Sequence, residues 1–216
     1  MATDPTSFVL LSLSSLLVIV NPLGAAMIYV SMTSGFEDRQ KRAIAVEASW
    51  YALVVLVVFA LIGGLILELF GITLEAFRIG GGALLFLIGL DMVNARVSRS
   101  KVTATEKYEG ETDDVAVMPI AIPMIAGPGA ITTVIVLMDE ARGLGLWAYV
   151  VVVISIAVAA VVTYLTMANA DRVMGRVGQR EFRAVNRIMG ILLIAIAVEF
   201  VIDGLRTAFP FLAGGG

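Results

Sequence analysis

The sequence predicts an all-helical protein that crosses a membrane six times. Apolar residues make up 59% of the 216 residues and charged residues only 15%, whereas soluble domains are nearer half apolar and a quarter charged. The mean hydropathy is correspondingly high, at +0.96. Apolar runs of about 20 residues recur along the chain, and each can cross about 30 Å of hydrocarbon. We expect one transmembrane domain over residues 1–216.

The six predicted spans follow in order. The first begins after Asp4 with no basic leader, so we expect a retained span rather than a signal peptide. Arg78 lies near the start of the third span, the fifth span carries no charged residue, and the sixth contains Glu199. The spans are predicted at Phe8–Ser34, Ala43–Leu67, Ala76–Ala95, Ala116–Met138, Leu146–Ala168 and Val185–Thr207.

The basic residues predict the orientation of these spans. Twelve of the fifteen lie in the regions that follow spans one, three and five, and the other three are Arg78, Arg142 and Arg206. Because Lys and Arg concentrate in cytoplasmic loops, both termini are expected outside. The linker at residues 96–115, basic first and acidic later, is then a cytoplasmic connection between two halves of three spans each. The halves cover about residues 8–95 and 116–207.

Two of the spans carry a proline and glycines near their middle, which predicts a break in each helix. The sequences are Asn21-Pro22-Leu23-Gly24-Ala25 in span one and Ala126-Gly127-Pro128-Gly129-Ala130 in span four. Proline removes a backbone donor, and glycine lets the backbone leave helical geometry. Inside a bilayer, freed backbone groups must face protein or a water-filled cavity. We therefore expect both breaks at the midplane, in a binding site.

An internal repeat supports this interpretation. Because each half has an odd number of spans, three, the second half enters the membrane in the opposite orientation. When the two halves of the sequence are aligned with Pro22 opposite Pro128, the segment that starts at Arg78 also falls nearly opposite the segment that starts at Arg187. Inverted repeats with broken helices are a recurring plan among secondary transporters.

The predicted site suits a small anionic group. A helix that restarts after a break presents unpaired amides and the positive end of its dipole, and two such ends would converge here. Asn21, Thr132 and Thr133 can add side-chain hydrogen bonds, while glycine keeps the wall close to the backbone. The candidate substrate-binding residues are Asn21, Pro22, Gly24, Gly127, Pro128, Gly129, Ala130, Thr132 and Thr133.

Other chemistries are disfavoured by composition. The chain contains no cysteine and no histidine, so it lacks thiol chemistry, the commonest general base and the commonest transition-metal ligand. All three lysines fall in loops, which argues against a Ser-Lys pair in the membrane. We expect no enzymatic activity, catalytic residue, metal or cofactor, and no nucleic-acid partner.

The chain resembles the MarC family of integral membrane proteins, which are also grouped with small neutral amino acid transporters. The resemblance rests on four segments in the order and spacing of the family. They are Asn21-Pro22-Leu23-Gly24, Arg78-Ile79-Gly80-Gly81-Gly82, residues 119–133 around the Gly-Pro-Gly block, and Gly190-Ile191-Leu192-Leu193. The resemblance implies a six-span inner-membrane protein of bacteria or archaea, with at least one branch that looks like a transporter of glycine and alanine.

Together these observations predict a secondary transporter that moves small neutral amino acids across the cytoplasmic membrane by alternating access. Glu199 lies about 10 Å from Arg206 along the last span, where it could carry a coupling proton or simply pair with that arginine. A channel or an uncoupled exporter of small metabolites is the alternative. The partners expected are the substrate and the lipid bilayer, and the sequence fixes no oligomeric state.

Overall fold

The computed structural model describes residues 4–33, 35–94, 116–170, 172 and 179–210, and the described chain is all helical. The predicted linker at residues 96–115 lies outside the described residues. Seven α-helices and one irregular stretch, Ala116–Ile125, form the described part of the chain. The helices are α1 Pro5–Val20, α2 Pro22–Thr33, α3 Asp38–Leu69, α4 Leu74–Val93, α5 Pro128–Arg142, α6 Leu146–Ala168 and α7 Gln179–Ala208.

Five helical segments in the described residues are long and apolar enough to cross a membrane. They are Pro5–Thr33, Asp38–Leu69, Leu74–Val93, Leu146–Ala168 and Ala184–Ala208, which match predicted spans one, two, three, five and six. The predicted fourth span is not a continuous helix, because an irregular stretch precedes α5 and α5 has only 15 residues. The architecture is that of a polytopic helical membrane protein.

Two prolines explain the irregular stretch. Met118 and Ile122 both have an extended backbone, with φ of −129°, and each stands immediately before a proline. A residue in that position is pushed out of the helical region by the proline ring. The stretch is nevertheless surrounded by protein, since Ile120 and Ala121 are fully buried. Burial within the protein is the condition under which irregular backbone is tolerated at membrane depth.

Helices α4 and α7 form a closely packed antiparallel pair. A Cβ atom added to Gly82 would lie 2.7 Å from the carbonyl oxygen of Ala197. Gly89 approaches the Gly190 carbonyl in the same way, with the added Cβ 3.0 Å away. Small residues on both helices therefore let the two backbones approach each other, as is common between membrane helices.

The remaining helices share one apolar core. Helix α6 is at its centre and packs against α1, α2, α3 and α5, while α3 also packs against α5 and the irregular stretch. Phe8 of α1 meets Trp147 of α6 edge to face, with ring centroids 5.8 Å apart. A smaller cluster that includes Val18, Leu85 and Leu193 joins this core to the α4–α7 pair.

The α4–α7 contact gives a matched test on one helix. Gly82→Ala should destabilise the protein by about 1–3 kcal/mol, because the new methyl group meets backbone. Gly80→Ala, whose Cβ would find nothing within 4 Å, should be neutral or slightly stabilising through helix propensity. Unfolding in detergent, followed by circular dichroism, measures both. Equal stability of the two variants would contradict the close packing.

Candidate functional site

The first helix break is a sharp turn at Asn21. Its φ of 49° and ψ of 70° place it in the left-handed region, which Asn tolerates better than most residues. Its side-chain Oδ1 accepts a hydrogen bond from the Gly24 amide at 3.1 Å, which caps α2. Its backbone N–H donates to Leu17 and its carbonyl accepts from Ala25, at 3.1 and 3.0 Å. The chain therefore changes helix here with few backbone groups left open.

The second break, at Gly127, is less completely closed. Gly127 precedes α5 with an extended backbone and has no side chain to cap the helix, and Pro128 has no amide hydrogen. The Gly127 carbonyl accepts from the Ile131 amide at 3.0 Å. Among the described residues, no hydrogen-bond acceptor contacts the amides of Gly129 and Ala130. Two donors at the positive end of α5 are thus available in a buried setting.

The two breaks lie in the same region of the core. Helix α1 packs against α5, and α2 packs against the irregular stretch, so the two broken segments contact each other on both sides of the breaks. A Cβ added to Gly129 would lie 3.6 Å from Ile19, two residues before the first break. The structure thus brings together segments that are more than 100 residues apart in the chain.

Asn21 also connects the first break to the α4–α7 pair. Its Nδ2 donates to the Oδ1 of Asn186 on α7 at 3.3 Å. The Nδ2 of Asn186 in turn donates to the carbonyl of Met92, near the end of α4, at 3.4 Å. Asn186 was not among the residues predicted for the site, although an amide near the start of a predicted span is a usable signal.

The two threonines predicted to bind ligand are buried, and each hydroxyl already donates one hydrogen bond within the protein. The Thr132 hydroxyl donates to Pro128 and the Thr133 hydroxyl donates to Gly129, each at 2.9 Å. Their oxygens can still accept a hydrogen bond. Thr132 also packs directly against Gly81 of α4. Of the predicted site residues, Pro128 is exposed, Pro22 is half-buried, and Asn21, Gly24, Gly127, Gly129, Ala130, Thr132 and Thr133 are buried.

Two polar-lined cavities lie at opposite ends of α3. The α2-end cavity, of about 400 Å³, is bounded by the end of α2, the start of α3 and the end of α6, and includes Thr33 and Arg42. The α5-end cavity, of about 640 Å³, is bounded by the end of α3, the end of α5 and the start of α6, and includes Asp139 and Arg142. None of the nine predicted site residues lines either of these two cavities.

Near the α5-end cavity, Arg78 of α4 is buried against two carboxylates of α5. Its Nη2 lies 3.5 Å from Asp139 and 3.6 Å from Glu140. The charge of Asp203 on α7 also acts on Glu140. Glu140 stands two residues beyond the predicted fourth span, and the sequence patterns did not single it out.

Glu199 is exposed on α7, one turn before Asp203, on which its charge acts. Among the described residues, no ion pair joins it to Arg206. Its coupling role stays a prediction.

Comparisons with known proteins agree over nearly the whole chain. The model of the MarC family integral membrane proteins matches residues 6–209. The UPF0056 membrane protein MJ1677 of Methanocaldococcus jannaschii is 39% identical over 205 residues, which cover 93% of this chain and 97% of that protein. A UPF0056 membrane protein of Aquifex aeolicus is 40% identical over 194 residues, or 89% of each chain. The UPF0056 membrane protein YvbG of Bacillus subtilis is 33% identical over 208 residues, which cover 95% of this chain and 98% of that protein. No solved structure matches.

Asn21 allows its backbone and side-chain roles to be separated. Asn21→Ala should cost about 1–3 kcal/mol, because alanine is disfavoured in the left-handed region and leaves the Gly24 amide uncapped. Asn21→Gly restores the backbone freedom and should recover about half of that loss. Chemical denaturation in detergent measures both variants. An alanine variant as stable as the glycine variant would argue against the left-handed turn.

Proposed function

The chain belongs to the MarC family of integral membrane proteins, and from that premise we propose that it is a secondary transporter. Its proposed substrates are small neutral amino acids such as glycine and alanine, carried across the cytoplasmic membrane. The observation that carries the proposal is a pair of polar-lined cavities at opposite ends of α3, each reached from one helix break by about 16 Å of helix, along α2 and α5 respectively. A site that can be reached from either of two cavities is what alternating access requires.

An inverted repeat of three helices accounts for most of the helix contacts, although those of α5 with α6 and of α1 with α7 have no comparable counterpart in the other half of the described chain. In this scheme α1 and α2 correspond to the irregular stretch and α5, α3 corresponds to α6, and α4 corresponds to α7. The contact of α1 with α6 then corresponds to that of the irregular stretch with α3, and the contact of α2 with α6 to that of α5 with α3. Two further pairs of contacts correspond in the same way. The contact of α2 with the irregular stretch corresponds to that of α5 with α1, and the contact of α4 with α5 corresponds to that of α7 with α2.

The cavities correspond under the same exchange. The offset that aligns Pro22 with Pro128 also aligns Tyr29 and Thr33 of the α2-end cavity with Ile135 and Asp139 of the α5-end cavity. Rocking one repeat against the other would open one cavity towards the breaks while closing the other. We propose six spans, the fourth built from the irregular stretch and α5, with both termini outside.

The second break is proposed to hold the substrate carboxylate. The unpaired amides of Gly129 and Ala130 provide two donors at a helix N-terminus. In the described part of the chain, the first break contributes one free amide, that of Leu23, because Asn21 already caps the Gly24 amide and donates to Asn186. The close packing of Gly129 against Leu85 favours a small substrate. The proposal assigns no catalytic chemistry to the chain.

Transport can be tested with purified protein in liposomes. We expect exchange of labelled glycine or alanine, and at least a tenfold slower exchange in Gly129→Ala, because the added methyl group would lie 2.6 Å from Leu85 where the breaks meet. Gly143→Ala, at the far end of α5 with its nearest neighbour 3.9 Å away, is the matched control. Absence of glycine, alanine and serine flux by the wild type in both directions would overturn the proposal. Single-channel currents would instead favour a channel.

Alternating access and orientation can be tested with single cysteines, because the chain has none of its own. Val30→Cys lies in the α2-end cavity and Met138→Cys in the α5-end cavity. A membrane-impermeant maleimide applied outside cells should label Met138→Cys, whereas Val30→Cys should react only from the cytoplasmic side. Saturating glycine should change the two labelling rates in opposite directions. Parallel changes at both positions would contradict alternating access.

A further inference from the structure

A second polar site lies where α4, α5 and α7 meet. We call it the Arg78 cluster, and it consists of Arg78, Asp139, Glu140 and Asp203. It stands about 15 Å along α5 from the second break, as the helical rise places residue 139 relative to residue 129. It is therefore separate from the proposed substrate site, although it lies at the α5-end cavity, which Asp139 lines.

Arg78 is the centre of this cluster. It is only 9% exposed, and its Nη2 lies between Asp139 at 3.5 Å and Glu140 at 3.6 Å. Its buried Nε has no partner among the described residues. Helix α7 packs against Arg78 next to Asp203, because a Cβ added to the following residue, Gly204, would be 3.3 Å from the Arg78 Cβ. A buried guanidinium with an open donor and two long ion pairs is not a fully satisfied structural bridge.

The charges of the cluster do not balance. Asp139 and Glu140 share one guanidinium, the negative charge of Asp203 adds to theirs, and Arg142 at 3.6 Å from Asp139 is largely exposed and offsets little of the excess. Like charges in a buried setting favour proton uptake by one of them. Among the described residues, no group of three acidic side chains is arranged to hold a metal ion. Proton binding therefore fits this arrangement better than cation binding.

We propose that the Arg78 cluster is the proton-coupling site of the transporter, with Glu140 as the proton acceptor. This inference rests on the transport function proposed above. A hydronium ion that enters through the α5-end cavity, which Asp139 lines, transfers its proton to the neighbouring Glu140 carboxylate, forming an O–H bond and leaving as water. The neutral carboxyl group then no longer forms an ion pair with Arg78, which keeps its contact with Asp139.

Protonation would act on the contact between the two repeats. Arg78 belongs to α4 of the first repeat, whereas Glu140 belongs to α5 of the second. Losing one of the two ion pairs weakens this link at one end of the protein, and the repeats can then move there. The neighbouring ionisable groups are few: Glu68 on α3 and Tyr149 on α6 line the cavity, and Glu199 and Arg206 act on Asp203 along α7.

Proteoliposomes with an imposed pH gradient test the inference. The wild type should accumulate labelled alanine several-fold above equilibrium. Glu140→Gln should equilibrate alanine at a rate independent of pH and should show no accumulation. Glu140→Asp, which keeps a titratable carboxyl group, should retain accumulation. Glu181→Gln, an exposed carboxylate at the start of α7, is the matched control and should behave as the wild type.

A second variant provides an independent test of the inference. Asp203→Asn removes a negative charge that acts on Glu140, so the midpoint of the pH dependence of alanine transport should move to lower pH. Gradient-driven accumulation by Glu140→Gln at the wild-type level, or wild-type transport that ignores the pH gradient, would overturn the inference while leaving the transporter proposal intact. No alanine or glycine flux at all by the wild type would overturn the transporter proposal itself.

Discussion

Inside a bilayer, every backbone amide and carbonyl must find a partner within the protein, and the rest of this structure follows from how that requirement is met at two interruptions. At the first, one asparagine both adopts the left-handed turn and caps the next helix. At the second, a glycine and a proline occupy the equivalent positions, and neither can supply a side-chain cap. Among the described residues, the first break leaves one amide, that of Leu23, without an acceptor, whereas the second leaves the two amides of Gly129 and Ala130.

Sequence reasoning anticipated the features that depend on local chemistry. The breaks follow from the conformational properties of proline and glycine, and five of the six predicted spans correspond to helices of sufficient length. The fourth span was predicted to break at its Gly-Pro-Gly block, but the extended backbone of the two residues that precede Pro119 and Pro123 was not predicted. That effect was present in the sequence, but the strong apolar character of the run concealed it.

Contacts between residues of helices that are distant in the sequence could not be predicted from local sequence patterns. Asn21 and Asn186 meet only because the first break reaches the α4–α7 pair. Arg78 and Glu140 meet because α5 packs along α4, a contact that periodicity in either helix does not encode. In the sequence, Arg78 was simply one of three basic residues on the less basic side, and its burial emerges from the packing alone.

Helix α3 has a consequence for the surrounding lipid. Its 32 residues extend about 48 Å, well beyond a hydrocarbon layer of about 30 Å. Its first turns, which include Lys41 and Arg42, therefore reach the headgroup layer unless the helix tilts strongly. The mouth of the α2-end cavity would then lie among phosphates, where anionic headgroups compete with solutes for the same two cations. Membrane thickness and lipid charge thereby become variables that set how readily this entrance is occupied.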